Sequence, residues 1–440
     1  MYYNGSCICH NINYSEAKME FQKMSRNDLE EIYEALQNKY KEIKSKNLQL
    51  DMSRGKPSPE QLDLSADILG CVNSESGCKT EKGFDCRNYG VLDGIPECKK
   101  LFAELLGVDT KNLIIGGNSS LTIMFDYITQ CMISGAGAEP WSKQKNVKFL
   151  CPVPGYDRHF SICEYFGIEM INVPLLEDGP DMDMVEELIK DSSVKGMFVV
   201  PKYSNPCGNT FSDECVRRFS ELKPAAKDFR VIWDNAYCIH DIEDEHDELM
   251  NIFEACKGKD SIDYFIEVTS TSKISFPGSG VSAIAASDKN IEMIKKRMTI
   301  QTIGNDKLNQ LRHVRFFKDM DGLKKHMKLH AEKLKPRFDI IKKYFEQELS
   351  RTGIAKWTSP NGGYFISLDV AEGCAERTVE LCREAGVVLT NAGATYPYGK
   401  DPEDKNIRIA PSYPGIDELE EAVKCLCVCT KLAYLEKVLK

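Results

Sequence analysis

Apolar and polar positions follow two regimes along this chain. Through the middle, short apolar runs recur at 147–151, 169–173, 196–200, 230–233 and 265–268. Each has the length of a buried strand. Helical patterns over 159–166, 181–190 and 212–222 lie between several of them. That rhythm predicts an α/β domain with a mainly parallel sheet. Upstream, the spacing of Leu29, Ile32, Tyr33, Leu36, Tyr40 and Ile43 predicts a helix over about 25–46, with Ser25 and Asp28 near its start. An extended piece at 48–52, a helix at 97–106, a strand at 113–115 and a helix over about 121–134 follow. From about 311 the chain turns helical and highly charged as far as Leu349. A strand within 360–368, a helix at 375–385, extended runs at 387–389 and 406–410, and a closing helix over about 416–438 complete a smaller α+β unit, with which the N-terminal helix is expected to pack. The predicted organisation is an arm (1–24), a first piece of the small domain (25–65), a large domain (66–310) and a small C-terminal domain (311–440).

Composition narrows the class. The 440 residues are 42 % apolar and 28 % charged, enough for a sizeable core. A net charge of −10 argues against nucleic-acid or anionic-membrane partners, which need a basic footprint. No apolar run approaches the roughly 20 residues of a membrane span, and the first residues lack the basic and apolar regions of a signal peptide. The 18 cysteines are scattered through a long chain, so reduced thiols and a cytoplasmic protein are expected. Cys7-x-Cys9-His10 has no second ligand pair nearby, and Cys425-x-Cys427-x-Cys429 falls in an amphipathic helical run where core packing is expected.

In an open α/β sheet, reactive residues sit just past the strand C-termini. Four of these five strands end in a candidate: Tyr156, Asn205, Asp234 with Tyr237, and then Lys273, which sits among small hydroxyl residues before a Gly/Pro-rich turn. Gly116-Gly117-Asn118-Ser119-Ser120 joins a strand to a helix, the geometry of an anion site. Together this set suits pyridoxal 5′-phosphate. Lys273 would form an imine with its aldehyde. Asp234 would hold the ring nitrogen protonated. Asn205 and Tyr237 would donate to the phenolate oxygen, Tyr156 would stack on the ring, and Gly117, Asn118, Ser119 and Ser270 would cradle the phosphate. Arg408 would fork onto a substrate carboxylate.

The motifs Asn205-Pro-Cys-Gly208, Asp234-x-x-Tyr237, Ser270-x-Ser-Lys273, Pro360-x-Gly-Gly-x-Phe365 and Asn406-Ile-Arg408 stand in one order. In that order and spacing, the chain resembles the class I, fold-type I aminotransferases over nearly its whole length. The wording of Ser53-Arg-Gly-Lys-Pro-Ser-Pro, Pro152-Val-Pro-Gly-Tyr-Asp-Arg and Pro201-Lys-Tyr-Ser-Asn-Pro is similar to the divergent bacterial aspartate aminotransferases of type Ic. The resemblance implies a large domain with a mainly parallel sheet between helices, and a smaller α+β domain. It implies ping-pong amino transfer between L-aspartate and 2-oxoglutarate through a Lys273 imine, with Gly55, Asn205 and Arg408 at the substrate. It also implies a homodimer with shared sites, in which Tyr89 of the Asn88-Tyr89 segment reaches the neighbouring subunit's phosphate.

Two departures stand out. The family's phosphate-binding arginine, eight residues after the lysine, is missing, because Gly280 and Val281 lie there. No motif assigns the residue that reads aspartate's distal carboxylate, and Arg54, Lys56, Arg158 and Lys202 are all candidates. The same framework serves alanine and aromatic aminotransferases and C–S lyases. Ser270-x-x-Lys273 also spells a serine-hydrolase motif, but that motif's partner sequences are missing.

Overall fold

A computed structural model describes residues 20–440; the first 19 residues of the predicted arm, with Cys7, Cys9 and His10, lie outside the described residues, and its end, the one-turn helix Phe21–Lys23, buries Phe21 in the core of the smaller unit. Eight strands form the central sheet: β1 (Leu113–Ile115), β2 (Lys148–Val153), β3 (Glu169–Leu176), β4 (Gly179–Pro180), β5 (Val194–Val199), β6 (Arg230–Asp234), β7 (Phe265–Ser270) and β8 (Ser282–Ala286). Their spatial order is β1-β8-β7-β6-β5-β2-β3-β4. The run from β7 to β3 is parallel; β8 lies antiparallel to both of its neighbours, and β4 antiparallel to β3. β5, β6, β7 and β8 are buried throughout, as expected of strands covered on both faces. Because β2, β5, β6 and β7 run parallel, their C-terminal ends finish at one edge of the sheet. Asp234 pairs with Val268 in register, so the end of β6 lies beside the turn that carries Lys273.

The second core belongs to the smaller unit. Strands Ala355–Trp357, Ile366–Val370 and Asn406–Ile409 form an antiparallel sheet. Helices Arg26–Ser45, Met320–Glu348, Ala375–Glu384 and Ile416–Val438 share one apolar core with it. The first of these helices buries Leu29, Leu36 and Ile43 along one stripe, and Ser25 with Asp28 forms a capping box at its start. A two-residue parallel pair, Leu50–Asp51 with Val387–Val388, ties the beginning of the chain to this unit. The segments leaving that pair, with Gly55 on one side and Thr390 on the other, arrive at the strand-end edge of the large sheet.

Three details differ from the sequence expectation. The helical region near 311–349 is two helices, Lys307–Phe317 and Met320–Glu348. The break falls at Lys318, whose φ is +67°, and Asp319 caps the second helix. Residues 360–365 are a turn rather than strand. Gly362 and Gly363 lie against Tyr203 there, and a Cβ on Gly362 would meet that ring at 2.3 Å. Finally, β8 is a strand built of Ser-Ala-Ile-Ala-Ala, which hydrophobic patterning alone does not mark.

Candidate active site

The strand-end edge and the small unit enclose a cavity of about 530 Å³. Eleven of the sequence-predicted residues line it: Gly55, Ser119, Tyr156, Asn205, Asp234, Tyr237, Ser270, Lys273 and Arg408, with Arg54 and Arg158 from the candidates for a second carboxylate. A larger hollow of about 980 Å³ lies between Lys100 and Lys289 and contains none of them. Depth and chemistry, not volume, therefore mark the site.

Lys273 lies in the one-turn helix Thr271–Lys273 that follows β7. Its Nζ stands 4.8 Å from the centre of the Tyr237 ring and 5.9 Å from that of Tyr364. Its surface is partly open, through the cavity, yet protein atoms surround the amine. Burial holds its pKa below the ordinary lysine value; Asp234 opposes that shift and Arg408 reinforces it. A buried amine pushed toward its neutral form is nucleophilic.

Asp234 ends β6 and is buried. His159, in the helix Asp157–Tyr165 and stacked on Phe198, meets its Oδ2 at 3.0 Å. Its Oδ1 is buried with no hydrogen-bond partner. Leaving a carboxylate oxygen unpaired in the interior costs several kcal/mol, on the order of a buried charged group's desolvation. A ligand N–H at this point would remove that cost. Tyr237 stands above, with burial pushing its hydroxyl well above the usual range, so it remains a proton donor at neutral pH. Burial likewise pushes Tyr156 up to about 12.

Arg408 comes from the small unit and crosses the cavity. Its guanidinium donates to Asp157 Oδ1 at 2.7 Å and to Asn205 Oδ1 at 3.3 Å, while its Nε is buried without a partner. The Phe365 ring lies 5.1 Å from the guanidinium carbon. Gly55 makes that packing possible: a Cβ there would meet the far edge of the Phe365 ring at 2.4 Å. With its oxygen accepting from Arg408, Asn205 has its amide N–H groups left to donate.

At the other end of the cavity, helix Ser120–Ser134 begins with Ser119 as its cap. Ser119, Ser120, Ser270 and Ser272 gather hydroxyls at this N-terminus, where the helix dipole is positive. Sequence reasoning missed Ser120 and Ser272. It placed Gly117 and Asn118 in the cradle; neither lines the cavity. The Gly117 carbonyl accepts from Ser282, and Gly117 faces a separate hollow beside Ile123 and Arg297. The Asn118 amide donates to the Pro277 carbonyl at 3.3 Å. Tyr89 is 77 % exposed and contributes nothing to the cavity of its own chain.

The four candidates for a second carboxylate separate cleanly. Lys202 is buried and paired to Asp241 at 2.7 Å, and Lys56 lies over the Tyr413 ring at 3.7 Å. Neither lines the cavity. Arg54 and Arg158 do line it, and neither pairs with a carboxylate among the described residues.

Comparison with known proteins bears on this geometry. The family model for aspartate amino-transferase matches residues 24–440. An aspartate aminotransferase of Corynebacterium glutamicum is 48 % identical over 406 residues, covering 92 % of this chain and 94 % of that one. The crystal structure of an aspartate transaminase from Corynebacterium glutamicum superposes with a TM-score of 0.93 at 46 % identity, over 96 % of this chain and all of that one. A more distant structure, the Thermus thermophilus α-aminoadipate aminotransferase complexed with N-(5′-phosphopyridoxyl)-L-leucine, shares the fold at 19 % identity, with a TM-score of 0.69 over 89 % of this chain and 93 % of that one. Matched from its first described helix to its last residue, the chain belongs to the aspartate aminotransferase family and is an aminotransferase.

Proposed function

We propose that this aminotransferase uses pyridoxal 5′-phosphate to move the amino group of L-aspartate to 2-oxoglutarate, the two substrates taking turns in one cavity. Asp234 supports the cofactor assignment most directly, because its partnerless Oδ1 shares the cavity with a desolvated lysine amine. Bound there, the cofactor supplies an aldehyde that exchanges amines and a ring that draws electrons from the substrate Cα. Asp234 Oδ1 would accept the ring N–H, Asn205 and Tyr237 would donate to the ring oxygen, and Tyr156 would cover the ring face. The helix N-terminus and its four serines would hold the phosphate without the family's arginine. Lys273, whose buried amine is pushed toward its neutral form, would carry the proton to and from the substrate Cα. Arg408 would exchange its Asp157 partner for the substrate's α-carboxylate, drawing the small unit over the cavity and excluding water. Tyr89 would complete the phosphate site of a second subunit. With its thiols reduced, such an enzyme would suit the cytoplasm.

The preference for a dicarboxylate rests on a single observation: two unpaired guanidinium groups, Arg54 and Arg158, in the cavity wall. An alanine or aromatic aminotransferase has no use for them there. Steady-state kinetics with aspartate, alanine and phenylalanine as donors test this. Aspartate should give the largest kcat/KM. Arg158→Leu or Arg54→Leu should lower it for aspartate by about 10- to 150-fold, the effect of losing a charge-assisted hydrogen bond, and leave alanine unchanged. Equal loss for all three donors, or preference for phenylalanine, would contradict the assignment.

A further inference from the structure

The closing helix Ile416–Val438 carries cysteines at 425, 427 and 429. Residues four apart lie on one face of a helix, and the sulfurs of Cys425 and Cys429 are 3.8 Å apart. Cys427 points away from them, toward the Tyr344 carbonyl. The neighbouring helix Ala375–Glu384 adds Cys382, and the sulfurs of Cys382, Cys425 and Cys429 all lie within 4.8 Å of one another. All three are buried free thiols. They lie in the core of the small unit, as the helical pattern predicts for 425 and 429, and cysteine packs well as a small hydrophobe. Packing accounts for each cysteine separately. It does not call for three sulfurs from two helices to converge on one point. Three sulfurs bound about 2.3 Å from a common ion stand about 4.0 Å from one another. One edge of this triangle, at 3.8 Å, is already near that length.

We propose that Cys382, Cys425 and Cys429 hold one thiophilic metal ion, univalent copper, bound by three sulfurs between the two helices. Soft thiolates select Cu(I) and Zn(II) over the hard cations that prefer oxygen. Structural zinc takes four ligands. Among the described residues only these three metal-ligating side chains meet here, which suits a three-coordinate ion. Binding breaks S–H bonds as S–Cu bonds form and passes the protons to solvent. Copper enters and stays as Cu(I), so no electron changes hands. The ion would tie helix Ala375–Glu384 to the closing helix and stiffen the small unit.

The test uses reduced, metal-free holoenzyme. It is given Cu(I) or Zn(II) in separate arms, challenged with a chelator, and assayed for metal per chain after gel filtration. About one Cu(I) per chain should survive in the wild type, in Cys427→Ala and in the Cys7→Ala/Cys9→Ala double variant. Cys382→Ala and Cys429→Ala should lose it while amino transfer remains at the wild-type rate. X-ray absorption of the wild-type copper form should show three sulfur neighbours and no nitrogen, a result that does not depend on any variant folding. The proposal is overturned if the wild type keeps no copper, or if zinc is kept in its place. It also falls if Cys382→Ala binds as well as wild type, or if the Cys7/Cys9 variant is the one that loses the ion.

Discussion

At the scale of single residues, burial lowers the pKa of Lys273 and raises those of Tyr156 and Tyr237. Lys273 and Asp234 are the pair on which the proposed chemistry depends, but a neighbour offers a cleaner thermodynamic test. Glu267 on β7 is buried, accepts one hydrogen bond from Asn235 at 2.8 Å, and is pushed up to about 7 by burial. Its folded-state pKa therefore lies above the unfolded value near 4.3. Between these pH values the folded chain binds more protons than the unfolded one. Stability is full below about pH 4 and falls as pH rises through about 7, by about 4 kcal/mol in all. Glu267→Gln should remove that slope and be the more stable chain at pH 8, as urea denaturation of both proteins at several pH values would show. Equal slopes would mean that Glu267 is not the proton-binding group.

At the scale of elements, the cavity depends on how closely segments approach. The segment leaving Leu50–Asp51 runs against Phe365, and only a glycine at 55 leaves room for the ring. Gly55→Ala should displace Phe365 from the Arg408 guanidinium. Relative to wild type, KM for aspartate should then rise about 10-fold or more, and displacing the buried Phe365 ring should cost about 1–3 kcal/mol of stability. An unchanged KM would show that this contact does not position Arg408. Element by element, what could be read from the sequence follows from periodicity. The apolar runs marked β2, β3, β5, β6 and β7; of these, β5, β6 and β7 are buried throughout, and strands covered on both faces are continuously hydrophobic. Their ends then named Asn205, Asp234, Tyr237 and Lys273. What stayed hidden has other causes. The small residues of β8 carry no strand signal, and their place is set by the strands on either side. The break at Lys318 depends on a backbone angle and not on an apolar count. Gly117 and Asn118 fit the phosphate-turn pattern, but the residues of that turn lining the cavity are the next two, Ser119 and Ser120. The His159 contact with Asp234 and the pairing of Arg408 with Asp157 join residues remote in sequence, which spacing alone cannot show.

At the scale of the molecule, the proposed function needs two moving units and two chains. Asn205 and Asp157 from the large unit already meet Arg408 from the small one, so a carboxylate arriving at Arg408 acts on both units at once. Tyr89, exposed in the single chain, belongs in the proposal to the partner's cavity. Mixing Tyr89→Ala subunits with Lys273→Ala subunits, each inactive alone, should restore about a quarter of wild-type activity, since half the dimers would then hold one intact site of two. No restoration would mean that each chain builds its site unaided. The central claim is that the amine at position 273 holds the cofactor, and borohydride reduction of the holoenzyme followed by peptide mapping tests it most directly. The account predicts one pyridoxyl group per chain, on Lys273, and none on a Lys273→Ala chain; a label on any other lysine, or no label, would contradict it.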